Sequence, residues 1–324
     1  MTTRVRSLRT SVPLGRTYEI DRLTDEVLAL RQNQWRAQRA MGQDGLCQET
    51  TIDWRIIALR SLGGDAGRTD PGGAGLDAFA DTAHLKRSPY LAEVLAGIPA
   101  TLRGVRLMAL GPGTEIYEHR DGKVGLPWGN LRLHVPIVTN PGAIMVIGGD
   151  EIHWDAGRLW FGDFNRSHRV RNTGGEARIH LVIDCAVTAG LLALFPDEFL
   201  DQVRWRDVML ERRTVRLRAA DRDAFRCTFA MPASFPEWSE DETDTTAPDL
   251  PASIEARAGR LVLVAGSEPL FTLVHVGMGE FRFEGWTEER TLHLDLSSPS
   301  PQVRFRVREG HTLTERIRPA TRVL

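Results

Sequence analysis

Between residues 103 and 187 the chain is cut into short apolar runs, and this punctuation constrains its fold more than any other feature. The runs fall at 103–110, 131–138, 143–147, 158–161 and 178–185, with GPG at 111–113, TNPG at 139–142, GGD at 148–150 and NTGG at 172–175 between them. Many short strands divided by frequent turns predict a β-sandwich or barrel.

The flanks read differently. Asp21 as N-cap and Leu23, Val27 and Leu30 at spacings of four and three predict a helix over 21–41. Ser88 as N-cap, Pro89 at the first helical position and Leu91, Val94, Leu95 and Ile98 on one side predict a second, ended by Gly97 and Pro99. The glycine-dense GGDAGRTDPGGAG at 63–75 reads as a flexible loop and a candidate lid. A short helix is expected in LLALFPDEFL, and the acidic, proline-bearing segment 236–251 reads as a linker or exposed loop. Beyond it LVLVAG, LFTLVHV, GEFRFEGW, RTLHLDL and QVRFRVRE look like strands. The expected division is 1–200 for a strand-rich domain with N-terminal helices, 201–251 for a helix and linker, and 252–324 for a small β-rich module.

Hydrophobic residues make up 42 %, enough for a packed core, and the formal net charge is -2. No basic excess exists to displace counterions, so nucleic acid is not the expected partner. No run approaches the ~20 apolar residues that span a bilayer, and the arginine-bearing N-terminus lacks the apolar stretch of a secretory signal. Cys47, Cys185 and Cys227 are far apart and odd in number, which suggests reduced thiols. The expected location is the cytoplasm.

Five of nine histidines, His119, His134, His153, His168 and His180, fall in the strand-rich segment. His119-Arg120-Asp121 is followed after 46 residues by His168 and after nine more by Arg178. Two imidazoles and one carboxylate on one face of a metal leave the other coordination positions open, an arrangement suited to non-haem Fe(II) oxygenases. Period-two geometry puts His119 and Asp121 on one side of a strand end, and a barrel can bring His168 close. A keto acid such as 2-oxoglutarate can chelate the iron, leaving its far carboxylate to pair with an arginine. In RIHLVIDC, Arg178, His180 and Val182 share one face and Ile179, Leu181 and Ile183 the other, so an inward Arg178 calls for a buried anion. His-x-Asp alone recurs by chance; the distal histidine and arginine give the pattern its meaning.

The stretch EHRDG…LRLHVPIVTNP…HW…GRLWFGDFNRSHRVRNTGGEARIHLVIDC resembles the aspartyl/asparaginyl β-hydroxylase family, which includes bacterial proline cis-hydroxylases. The likeness covers roughly 50–187. It implies a mainly β fold with flanking helices, built on a double-stranded β-helix (a jelly-roll, cupin-like core) with the small C-terminal β-rich module added. His119 and His168 match the family's metal histidines, and Arg178 matches the arginine that holds the distal carboxylate of 2-oxoglutarate. Arg132 and His134 match an Arg-x-His near the co-substrate and the substrate carboxylate. Asp121, absent from some members, completes a His-Asp-His set and argues against a halogenase. Asp163, Asn165 and Asn172 fall in the turns around the distal histidine. Trp128, Trp154 and Trp160 could line a pocket or fill the core.

The resemblance implies an Fe(II)-, 2-oxoglutarate- and O2-dependent hydroxylase. Its expected substrate is an amino acid (proline-like, or Asp/Asn), free, within a peptide or carrier-bound, as in natural-product biosynthesis. The C-terminal module could recognise a larger substrate, form a homodimer contact or simply pack. Two rivals stay open: a non-catalytic cupin-like protein that binds metal or a small acid, and an Fe(II) oxygenase independent of 2-oxoglutarate.

Overall fold

Alternation along the strands decides the layers of this molecule. The computed structural model describes residues 8–30, 35–41, 47–49, 52–237 and 248–323. By internal contacts the chain divides into two units, Met1–Gly72 with Phe79–Leu210, and Gly73–Ala78 with Glu211–Leu324.

The first unit is a jelly roll. From Leu102 onward the chain visits two antiparallel sheets in turn. Leu102–Leu110, Asn130–Val138, Arg158–Gly162 and Arg178–Ala186 join a larger sheet that also takes in Ser11–Thr17 and Trp54–Leu62. Thr114–His119, Ala143–Ile147, Asp150–Ile152 and His168–Asn172 form a smaller sheet of four strands among the described residues. The outer face of the larger sheet is apolar. Leu131, Leu133, Val135, Ile137, Ile179, Leu181, Ile183 and Cys185 pack there against Leu23, Val27 and Leu30 of the first helix and Leu91, Val94 and Leu95 of the second. With a period of two, the intervening residues Arg132, His134, Arg178, His180 and Asp184 must turn inward. A greasy outer face under helices is therefore what forces polar side chains between the sheets.

The helices refine the sequence reading. The first runs Ile20–Leu30 and stops well short of residue 41. Arg36–Ala37 instead pairs as a strand with Trp54–Leu62. The second helix, Pro89–Ala96, starts where expected, but Ser88 does not cap it with its side chain. The free N–H groups of Tyr90 and Leu91 donate to the Glu26 carboxylate at 2.7 and 2.8 Å, so the first helix caps the second. In LLALFPDEFL, Pro196 splits the expected helix into Ala189–Leu192 and Asp197–Leu200.

The second unit is a closed antiparallel barrel of eight strands, Cys227–Met231 through Thr312–Arg322, filled by Phe229, Phe271, Phe281, Phe283 and Phe305. The boundary expected at 252 needs correction, because the barrel begins at Cys227. Its first and last staves pair (Cys227 with Arg322, Phe229 with Ala320), and without the first stave the sheet could not close. The strand hides in sequence because only Cys227, Phe229 and Met231 of its five residues are buried, next to the acidic stretch. Residues 238–247 of that stretch lie outside the described residues. The glycine-dense loop is a correction too. Gly75 donates to the Glu284 carbonyl at 3.1 Å and accepts from Thr272 N at 3.0 Å, while Thr272 Oγ1 donates to the Leu76 carbonyl at 2.9 Å. Its far end is thus stitched to the barrel, which is not how a free lid behaves. No helix among the described residues is long and apolar enough to cross a membrane.

Candidate metal centre and buried cation

The smaller sheet brings His119 and His168 together, because they are cross-strand partners in its register. Their rings stand 4.2 Å apart between centroids. Asp121, just past its strand, is held by its backbone N–H donating to the Phe164 carbonyl at 3.0 Å. Its carboxylate reaches both imidazoles: Oδ1 lies 3.8 Å from His119 Nε2 and Oδ2 3.9 Å from His168 Nε2. One donor atom from each of the three residues falls within 4.8 Å of the others.

The tautomers suit a metal. His119 Nδ1 lies 2.8 Å from the Tyr117 carbonyl and His168 Nδ1 2.9 Å from the Arg166 carbonyl. A carbonyl can only accept, so both protons sit on Nδ1 and both Nε2 lone pairs face Asp121. Burial lowers the pKa of His168, which favours the neutral ring a metal needs. Two aligned lone pairs and a carboxylate fit a divalent transition ion.

Arg132, expected near the co-substrate, is paired with two carboxylates of the protein. It donates from Nη1 to Asp121 Oδ2, from Nε to Asp184 Oδ1 at 2.7 Å and from Nη2 to Asp184 Oδ2 at 3.1 Å. Its charge is balanced by two carboxylates, so it bridges the metal site to Asp184 instead of offering an open anion site. Asp184 is its direct cross-strand partner and also accepts from Arg106 Nη2 at 2.8 Å. Burial alone would raise the Asp184 carboxyl, but the Arg132 and Arg106 guanidinium groups hold it below the usual range. Sequence reasoning missed both Asp184 and Arg106. The signal was the period-two face of Arg178, His180 and Val182, which extends to Asp184. Asp184→Asn should destabilise the protein by roughly 3–5 kcal/mol, because it strips a carboxylate from two buried cations. Urea unfolding at pH 7 would read the loss, and an unchanged midpoint would refute the role.

Arg178 has the opposite environment. It is 5 % exposed, and among the described residues no carboxylate pairs with it. Burial pulls its pKa down to about 9. Its contacts are to one imidazole: Nε lies 3.0 Å from His180 Nε2 and Nη2 2.8 Å from His180 Nδ1. His180 Nδ1 is in turn 3.3 Å from His134 Nδ1, and His134 Nε2 is buried without a hydrogen-bond partner among the described residues. His134 packs between Trp154 and Phe164, whose ring also touches His168. Burial and then Arg178 push both His134 and His180 far below the ordinary histidine pKa. The remaining candidates are structural or peripheral. Asp163 accepts from Arg166 at 2.9 Å, Asn172 anchors carbonyls of neighbouring turns, and His153 is exposed.

The neutral imidazoles set a pH dependence. An unfolded histidine takes up a proton near 6.5, whereas folded His134 and His180 refuse one. The unfolded chain therefore binds more protons as pH falls through that value, and stability falls with it, by up to about 1.4 kcal/mol per pH unit for each histidine. His84, His168, His275 and His293 are lowered in the same direction and add to the slope. Urea unfolding from pH 7.5 to 5.5 should show this decline, flattened in His180→Gln. A flat wild-type profile would contradict it.

Comparison with known proteins gives one family match: a family described as aspartyl/asparaginyl beta-hydroxylase fits residues 18–187. No curated protein matches. Among solved structures, an oxidoreductase of the 2OG-Fe(II) oxygenase family from Burkholderia pseudomallei is 14 % identical, with 55 % of this chain and 85 % of that one covered at a TM-score of 0.36. A prolyl hydroxylase from Trichoplax adhaerens, in complex with a hypoxia inducible factor oxygen degradation domain peptide fragment, is 10 % identical, with 58 % and 88 % covered at 0.37. A cupin domain from Bordetella pertussis is 17 % identical, with 28 % and 88 % covered at 0.22.

Proposed function

We propose, for a chain that belongs to the aspartyl/asparaginyl β-hydroxylase family, that its jelly roll is an Fe(II)- and 2-oxoglutarate-dependent dioxygenase that hydroxylates an unactivated C–H bond of an amino acid. One observation carries this reading. A His119, Asp121, His168 donor set with both Nε2 atoms turned toward Asp121 lies between the same two sheets as a buried arginine that no carboxylate pairs with among the described residues. The first can hold a metal and the second can hold a carboxylate.

In this reading His119, Asp121 and His168 hold Fe(II). Arg178 pairs with the distal carboxylate of 2-oxoglutarate, since a buried guanidinium is stabilised by an anion in proportion to its dryness. The bound iron supplies O2 activation coupled to decarboxylation of the keto acid to succinate and CO2. The chain's own residues do the positioning. Arg132 shares Asp121 Oδ2 and limits how far that carboxylate can swing. Trp154 and Phe164 flank His134 and keep water from the polar face. The substrate in this reading is proline-like, Asp or Asn, free, carried in a peptide or carrier-bound, as in natural-product biosynthesis.

Anaerobic titration of the apo-protein with Fe(II) and 2-oxoglutarate tests the reading. A weak visible charge-transfer band should appear only with both present, and succinate release should follow on adding O2 and substrate. A folded protein that gives no band would favour a non-catalytic metal- or acid-binding protein.

A further inference from the structure

Arg106, Asp184, Arg132 and Asp121 form a line of alternating charge that ends at the metal donors. Arg106 Nη2 donates to Asp184 Oδ2 at 2.8 Å. Asp184 takes Arg132 through both of its oxygens, at 2.7 and 3.1 Å, and Arg132 Nη1 donates to Asp121 Oδ2. Along this line each cation is matched by a carboxylate.

Arg132 meets its two carboxylates differently. Asp184 receives one whole edge of the guanidinium, Nε and Nη2, in the two-bond geometry that makes arginine–carboxylate pairs strong. Asp184 is itself anchored: it is the cross-strand partner of Arg132, and it is buried with Arg106. Asp121 receives a single nitrogen, Nη1. The oxygen it occupies is Oδ2, which lies 3.9 Å from His168 Nε2, and Oδ1, 3.8 Å from His119 Nε2, is left to other partners. An arginine with one carboxylate in reach favours the two-bond pair, because its rigid fork matches both oxygens. Released from Asp184, Arg132 would therefore turn onto both oxygens of Asp121 and compete with a metal for that carboxylate.

We infer that Asp184, held in turn by Arg106, is a positioning residue of the metal site: it commits one edge of Arg132, so that Arg132 steadies Asp121 through Oδ2 and leaves Oδ1 to the ion. The identity of the ion rests on the proposed function; the hold on Arg132 rests on the contacts alone. The consequence runs against simple proximity. Loss of Asp184, which is no ligand and touches none, should harm metal binding more than loss of Arg132, which touches one. Arg132 is useful to the site only while Asp184 restrains it.

Asp184→Asn alone strips a carboxylate from two buried cations, so the test uses the charge-balanced variant Arg106→Met/Asp184→Asn. Replacing a buried ion pair by uncharged side chains is often neutral or stabilising, which keeps this variant folded. Its crystal structure without metal should show Arg132 bonded to both oxygens of Asp121; Arg132 still on Oδ2 alone overturns the inference. Calorimetry with Mn(II) supplies the second arm. The variant should raise Kd by about 10- to 100-fold, the usual effect of losing a residue that orients a metal ligand. Adding Arg132→Gln should recover most of that loss, because the competitor for Asp121 is then gone, whereas simple damage to the fold would only deepen. Wild-type affinity in the charge-balanced variant, or no recovery on adding Arg132→Gln, overturns the positioning role. Failure of the wild type to take up Mn(II) sinks the functional reading instead, while the metal-free structure still decides whether Asp184 restrains Arg132.

Discussion

His168→Ala is expected to abolish Fe(II) binding and with it every turnover, while leaving the jelly roll folded. His168 is one of three donors, and its Nε2 lone pair is fixed by Nδ1–H donating to the Arg166 carbonyl. Loss of an outer-shell partner alone typically costs 10–100-fold in metal affinity, so loss of the ligand itself should exceed about 100-fold. Without the ion, His119 and Asp121 remain as an imidazole and a carboxylate already paired to Arg132. Calorimetry with Fe(II) under anaerobic conditions measures the affinity, and circular dichroism shows whether the fold survives. Metal affinity within a few-fold of wild type would remove His168 from the site. Asp121→Ala gives a related contrast, since it also frees Arg132 from one of its two carboxylates.

Arg178→Met should produce two effects of opposite sign. Affinity for 2-oxoglutarate should fall by about 30- to 1000-fold, corresponding to ~2–5 kcal/mol for truncating a buried charged partner. The apo-protein should become more stable by roughly 1–4 kcal/mol, because a buried cation that no carboxylate balances among the described residues is replaced by an apolar side chain of similar length. Burial has already drawn the Arg178 pKa down to about 9, the same desolvation penalty seen in another form. Stability and binding would then be traded at a single residue, as is common at functional sites. Thermal unfolding without ligand and calorimetry with 2-oxoglutarate and Mn(II) read the two effects separately. A variant that binds 2-oxoglutarate like wild type would assign the anchor elsewhere. One that loses binding and stability together would mean that Arg178 has a structural anion partner.

The opposed environments of Arg132 and Arg178 give the site its logic. Both are arginines on the inner face of one sheet. Arg132 meets Asp184 across the strand pair and Asp121 at its other end, so its charge is balanced by the protein. Arg178 stands opposite Leu110 and, among the described residues, hydrogen-bonds to His180 and pairs with no carboxylate. Two like residues thus differ by their cross-strand neighbours, one fixed in place and the other left to a ligand.

What the sequence determined by itself is the part governed by local periodicity and residue chemistry. Alternation in RIHLVIDC put Arg178 and His180 on one face and Ile179, Leu181 and Ile183 on the other, because side chains of a strand can only alternate. The turns at 111–113, 139–142 and 172–175 cut the strands close to their observed ends, since glycine, proline and asparagine favour turn backbones there. The donor set His119, Asp121 and His168 was legible from residue type, and the family resemblance supplied its frame. Tertiary structure alone decided the rest. Which carboxylate balances Arg132 depends on strand register, and Asp184 is 52 residues away in sequence. Glu26 caps the second helix from 64 residues upstream, a partner no local capping rule can name. The barrel closes by pairing Cys227 with Arg322, so the role of a five-residue strand is fixed by the far end of its unit. Side-chain periodicity is a property of neighbours along the chain, whereas charge balance, capping and closure belong to neighbours in space.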